Sequence, residues 1–121
     1  MKQCQVLKKS TNQVQAFDWG ALEWFANKTL SPLSDLTVGK CILKPGQANA
    51  SHMHPNCMEV LYVQEGTIRH TLAGKKTAFL KAGDTIVIPA QLYHHARNVG
   101  KKKAVLFISF STGQRRVKMK G

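Results

Sequence analysis

The chain has 121 residues, enough to bury one hydrophobic core and too few for a second domain within this stretch. Its 18 Lys and Arg against 6 Asp and Glu give a formal net charge of +12, which favours anionic partners. No apolar run approaches the length of a membrane span, and the three cysteines, an odd set, argue against a secreted disulfide scaffold.

The N-terminal residues give little structural signal. Met1 to Ser10 is polar and lacks the apolar centre of a secretory signal, and cysteines without metal-type spacing fit a reducing compartment, so we predict a cytoplasmic protein. Residues 1–16 are predicted to form a loose arm or an edge strand.

The segment from Ala21 to Asn27 alternates in a way that favours a strand with aromatic residues on both faces. We interpret Trp19 and Trp24 as core or dimer packing rather than as a substrate platform.

The stretch between Gly46 and Gly66 carries the strongest pattern in the chain. His52 and His54 are two residues apart, so an extended backbone places both imidazoles on one face. The turn signal that follows them predicts a returning strand, on which Glu59 can face the two histidines. Two imidazoles and one carboxylate converging from adjacent strands predict a site for a divalent transition metal.

A fourth donor is predicted further along the chain. The β-branched stretch that starts at Gly83 stops at Pro89, and His94 follows the turn. Three imidazoles and a carboxylate suit Fe, Mn, Ni, Cu, Co or Zn, and the sequence does not choose between these ions. An octahedral ion held by four protein groups keeps two positions for water, substrate or O₂.

The next strand is predicted from Thr67 to Leu72. Its alternation places His70 on the same face as Ile68 and Leu72, inside the barrel. His70 is therefore the candidate general acid or base, although a lone histidine on an apolar face is more often a core residue.

The last predicted strand, Ala104 to Phe110, is almost continuously apolar, which is typical of burial on both faces. From Ser111 onward, glycine and basic residues predict a fraying tail.

Several residues beside the candidate ligands are interpreted as structural. His95 follows a ligand directly, so strand parity directs it away from the metal towards the surface, and Tyr93 is expected to pack outside the cavity. We interpret Met53, Cys57 and Met58 as packing or rim residues.

The two stretches that hold the candidate ligands resemble the two sequence motifs of the cupins. The first cupin motif, G-x5-H-x-H-x4-E-x6-G, is met by Gly46, His52, His54, Glu59 and Gly66. The second, G-x5-P-x-G-x2-H-x3-N, is met by Gly83, Pro89, His94 and Asn98, and the departure is Gln91 in place of glycine. Because that glycine serves a turn with positive φ, we expect Gln91 to adopt this conformation at some cost.

The resemblance implies an all-β protein built as a single cupin β-barrel, or jelly roll, with an N-terminal arm. We predict an arm at residues 1–16, the barrel at 17–112 and a basic C-terminal tail at 113–121. The family often forms dimers, and Trp19, Trp24 and Phe25 exceed the needs of so small a core, so we predict a homodimer that uses the N-terminal strand.

The resemblance does not imply one reaction, because cupins include dioxygenases, isomerases, decarboxylases, lyases and binding proteins. We expect a metal-dependent enzyme acting on a small anionic, oxygen-rich metabolite such as a sugar acid or oxo-acid. The alternative is a non-catalytic module that binds a metal or a small ligand. The basic residues lack interleaved stacking aromatics, which argues against specific nucleic-acid binding.

Overall fold

The computed structural model describes residues 3–121, in which the regular structure is one 3₁₀ turn, Lys9–Thr11, and eleven strands. The strands are β1 (Gln13–Phe17), β2 (Gly20–Ala26), β3 (Thr37–Leu43), β4 (His52–Met53), β5 (Glu59–Glu65), β6 (Thr67–Leu72), β7 (Lys76–Lys81), β8 (Thr85–Ile88), β9 (His94–Asn98), β10 (Ala104–Phe110) and β11 (Lys118–Met119). The predicted all-β class is confirmed. No helix in this range is long and apolar enough to span a membrane.

Two antiparallel sheets face each other and form the barrel. One has the strand order β1-β2-β3-β10-β5-β8, and the other has the order β11-β4-β9-β6-β7. Burial alternates along β3, so that Cys41 and Leu43 face inward while Lys40 and Ile42 face outward. Leu106 and Ile108 of the neighbouring β10 share the inner face, and the core lies between the sheets. The single-barrel architecture predicted from the sequence is confirmed.

The prediction that Ala104–Phe110 is buried on both faces is wrong. Burial along β10 alternates towards its end, and Phe107 is 36% exposed. The strand is central in its sheet, between β3 and β5, but the second sheet covers only its inner face. The outer face of β10 is therefore only partly buried, with Val105 covered and Phe107 exposed.

Parts of both terminal regions form strands, although residues 1 and 2 of the predicted arm lie outside the described residues. The edge-strand alternative applies to Gln13–Phe17, which pairs with β2, so the predicted boundary after residue 16 falls within β1. Residues 113–121, the C-terminal segment, were predicted to fray, and this prediction is wrong. They return to the second sheet, where β11 pairs with β4. Trp24 is only 5% exposed and Trp19 packs against the core, so neither is in surplus.

Candidate metal centre

Strand register brings His52, His54, Glu59 and His94 together inside the barrel. His52 lies in β4 opposite His94, the first residue of β9, and their ring centroids are 4.4 Å apart. Glu59 begins β5 on the facing sheet, and it is buried like His54 and His94. One donor atom from each of the four residues lies within 4.8 Å of the others, a group that could hold a metal ion.

Each of the three imidazoles is held by a backbone carbonyl. The Nδ1 atoms of His52, His54 and His94 lie 2.8, 2.9 and 2.9 Å from the carbonyl oxygens of Ala50, Arg116 and Leu92. A carbonyl oxygen can only accept, so each Nδ1 carries the hydrogen and donates it. In the neutral rings every Nε2 therefore presents a lone pair, which is how metal-binding histidines are oriented in proteins.

The donor set requires a positive charge at its centre. Oε1 of Glu59 lies 3.4 Å from Nε2 of His54 and 3.1 Å from Nε2 of His94. Nε2 of His54 is buried and makes no hydrogen bond of good geometry within residues 3–121. Neutral imidazoles and a carboxylate would face each other with lone pairs only, which is repulsive. A proton or a divalent cation relieves that repulsion, so the residues present fit a transition-metal ion.

The pKa values of the cluster leave Glu59 ionised and His52 neutral, whereas His94 binds a proton more readily than usual and would release it to a metal ion. Burial alone would raise the pKa of Glu59, but the imidazoles of His54 and His94 hold it at about 2. Burial acts in the opposite direction on His94, yet the hydrogen bond from its ring to Glu59 leaves the pKa of His94 raised. Burial lowers the pKa of His52 to about 4, so this ring is neutral at pH 7. A carboxylate and neutral imidazoles are the forms that bind metals.

The C-terminal segment is part of this centre, which the sequence did not reveal. Asn56, in the turn between the ligands, donates from Nδ2 to the carbonyl of Gln114 and accepts from the backbone N–H of Arg116, both at 2.9 Å. These two bonds fix the backbone on both sides of Arg115 and place the Arg116 carbonyl against His54. Asparagine in a turn was the available signal, but turn chemistry alone explains that residue type.

His70 lies inside the barrel, as its strand parity predicted. It is 1% exposed, and its ring stacks on that of His94 with centroids 5.4 Å apart. Its Nδ1 makes no hydrogen bond with any residue in the described range. Burial lowers the pKa of His70 to about 4, so the ring is neutral at pH 7. Its predicted catalytic role stays a prediction.

The other residues singled out from the sequence lie around the centre. Gln91 has φ of 67°, which confirms the expected left-handed conformation, and its N–H donates to the carbonyl of His54. Cys57 is buried in the core, whereas Met58 is exposed at the rim. His95 and Tyr93 are half-buried, and neither belongs to the wall of the metal cavity.

The four donors open into a cavity of about 530 Å³. Its wall is largely apolar, and it includes Trp24, Leu106 and Phe110 from the six-stranded sheet. Arg115, Val117 and Met119 of the C-terminal segment complete the wall. Sequence analysis missed Arg115 as a site residue, because it lies within a basic run that resembles a solvated tail.

An antiparallel barrel around a buried three-histidine, one-carboxylate cluster defines a β-barrel protein with a candidate mononuclear metal site. The chain belongs to the cupin family, because the family model described as "Cupin domain" matches residues 39–110. The predicted family is therefore confirmed.

Two curated relatives illustrate the similarity. Oxalate oxidase 1 of Hordeum vulgare is 30% identical over 97 residues, which cover 74% of this chain and 46% of the relative. Polyketide synthase CurC of Streptomyces cyaneus is 35% identical over 74 residues, covering 61% and 47%. The chain thus spans less than half the length of these relatives.

Solved structures support the same fold. Lactobacillus farciminis oxalate decarboxylase, in a formate complex, has a TM-score of 0.82 at 19% identity, covering 91% of this chain and 34% of that one. Peruvianin-I from Thevetia peruviana latex has a TM-score of 0.83 at 22% identity, covering 96% and 77%. At these identities the likeness concerns the fold alone.

Proposed function

We propose that this protein is a metal-dependent cupin enzyme that acts on a small, oxygen-rich anion. The observation that carries the proposal is the arrangement of His52, His54 and His94, whose Nδ1 atoms all donate to backbone carbonyls while their Nε2 atoms converge on Glu59. The proposed ion is a divalent Fe, Mn, Ni, Cu, Co or Zn.

A bound ion would supply Lewis-acid or redox chemistry towards a carboxylate or carbonyl of the substrate. The chain's own residues do the rest. The apolar wall that Trp24 and Phe110 contribute excludes water, which strengthens electrostatic interactions inside the cavity. The formal net charge of +12 raises the local concentration of anions. The names of the oxalate-directed relatives support a small organic acid as the substrate class.

His70 is the proposed acid–base or positioning residue. Its ring lines the cavity, where a neutral imidazole nitrogen can accept a hydrogen bond from a substrate hydroxyl. His70→Gln keeps much of the size and polarity. A catalytic role predicts normal metal content with turnover reduced about 100-fold or more, the scale of general acid–base catalysis. Unchanged turnover would make His70 a packing residue.

Metal analysis tests the proposal. Protein purified without added metal should contain about one divalent ion per chain, and a coupled assay for consumption of small organic acids should detect turnover. His54→Ala and His94→Ala should each lower metal affinity about 10-fold or more, since such sites respond even to changes around the ligands. Unchanged affinity in both variants would refute the ligand assignment. Metal binding without turnover of any acid would favour the binding-module alternative.

We also propose a homodimer formed through the outer face of the six-stranded sheet. Val14, Phe25, Tyr62 and Phe107 lie on that face, and the rings of Phe25 and Phe107 are 6.4 Å apart. Val14 and Tyr62 are exposed, and this face includes β1 and β2 of the N-terminal region. Light scattering at micromolar concentration should give the mass of two chains, and a monomer mass would exclude the dimer.

A further inference from the structure

Arg115 is a cation placed in the wall of the metal cavity without an acidic partner. Its guanidinium carbon lies 4.3 Å from the centroid of the Trp24 ring and 5.3 Å from that of Phe110. Within residues 3–121 its side chain forms no ion pair and no hydrogen bond. The residue is half-buried.

Such a placement is costly unless the guanidinium meets an anion. Burial removes water from the charge, and burial accordingly lowers the pKa of Arg115 from its usual value. The aromatic rings compensate in part through cation–π attraction. Neither ring can accept the hydrogen bonds of the guanidinium N–H groups, which remain available to a partner that accepts two of them.

The position of Arg115 is fixed by the chain itself. Asn56 binds the backbone on either side of it, at Gln114 and Arg116. The same turn follows His54 directly, so the guanidinium and the ligand cluster are held by one local unit. A preorganised cation beside an anion-binding centre is a feature of specific recognition.

We propose that Arg115 binds a second anionic group of the substrate, which is therefore an acid with two separated charged ends. This rests on the proposed function, in which the first end meets the histidine cluster. The Phe110 ring neighbours both points, since its centroid is 4.7 Å from that of His54 and 5.3 Å from the guanidinium carbon. A monoacid leaves the guanidinium without a partner, so Arg115 favours acids that carry a second carboxylate beyond the chelating end.

The test compares two acids that share a chelating 2-hydroxycarboxylate end. 2-Hydroxyglutarate carries a second carboxylate at the far end, where 2-hydroxypentanoate carries a methyl group. Calorimetric titration of the Mn²⁺-loaded protein should show about 10-fold or more tighter binding of the diacid, as a bidentate charge-assisted contact implies. Arg115→Met should abolish this ratio, so that the diacid binds no more tightly than 2-hydroxypentanoate, while Mn²⁺ still binds.

Two further variants test whether the effect depends on the position and on the shape of the Arg115 guanidinium. Lys118→Met removes the same charge from the same segment at an exposed position outside the cavity wall, and it should retain the full ratio. Arg115→Lys keeps the charge and the aliphatic stem but loses the fork, and it should reduce the ratio without abolishing it. If Arg115→Met does not fold, the Arg115→Lys variant replaces it in the test.

Each outcome is decisive. A wild-type protein that binds the two acids equally, or does not bind the diacid, overturns the proposal, as does a ratio that survives in Arg115→Met. If metal and 2-hydroxypentanoate bind without any preference for the diacid, Arg115 has no such role and the metal site stands. If no metal binds but the diacid is still preferred in an Arg115-dependent way, the metal-enzyme proposal fails and the role of Arg115 stands.

Discussion

Removing residues 115–121 should weaken metal binding, although none of the four candidate ligands lies in that segment. The truncation removes the Arg116 carbonyl, to which Nδ1 of His54 donates at 2.9 Å. Without this acceptor the ring is free to rotate and to place its hydrogen on Nε2. Loss of such an outer partner typically costs about 10- to 100-fold in metal affinity. The loss should be partial, because His52 and His94 keep the carbonyls of Ala50 and Leu92.

Competition for Co²⁺ against a chromophoric chelator measures the effect without requiring turnover. Asn56→Ala loosens the same segment in the full-length chain by removing two hydrogen bonds, each worth about 1 kcal/mol. It should lower the affinity in the same direction, by less than the truncation does. Asn12→Ala is the matched control, since it removes a hydrogen bond that the side-chain amide of Asn12 donates to Glu23, away from the cavity. Affinities within about twofold of wild type for both altered forms would refute the reasoning, since an outer partner is worth more.

Three further predictions concern stability. The pKa of His70 falls from 6.5 to about 4 on folding. The contribution of the neutral ring to the free energy of unfolding is therefore present above pH 6.5 and is lost as pH falls towards 4. In urea unfolding of the metal-free protein, the free energy of unfolding should fall between pH 7 and pH 5 by about 2 kcal/mol more in wild type than in His70→Gln. Equal decreases in the two proteins would contradict this. Asn98→Ala should cost about 3 kcal/mol, because the amide serves Leu43, Lys102 and Gly100; a cost below about 1 kcal/mol would show that these bonds matter little. Gln91→Gly should stabilise by about 0.5–1 kcal/mol, because φ at this position is 67°, and a lower unfolding midpoint would oppose that account.

The sequence predicted the four candidate ligands because their convergence depends on short-range geometry, whereas the fold class followed from the resemblance of its motifs to those of the cupins. Side chains alternate with a period of two along a strand, so the spacing of His52 and His54 placed both rings on one face. The turns on either side then returned Glu59 and His94 to the same cavity. The positive φ of Gln91 was expected from the same resemblance, because the cupin motif has a glycine at this position and that glycine serves a turn.

Only the tertiary structure decided what surrounds those ligands. The contact between His54 and Arg116 joins residues 62 positions apart through a backbone carbonyl, which every residue possesses, so no residue type announces it. The same holds for the clamp by Asn56 and for Arg115, whose place beside Trp24 depends on how the last residues return to β4. Alternation along one strand also does not say whether a second sheet covers its other face, which is why the outer side of β10 was misjudged. Local patterns specify which way a side chain points, whereas its neighbours depend on long-range pairing that leaves no period in the sequence.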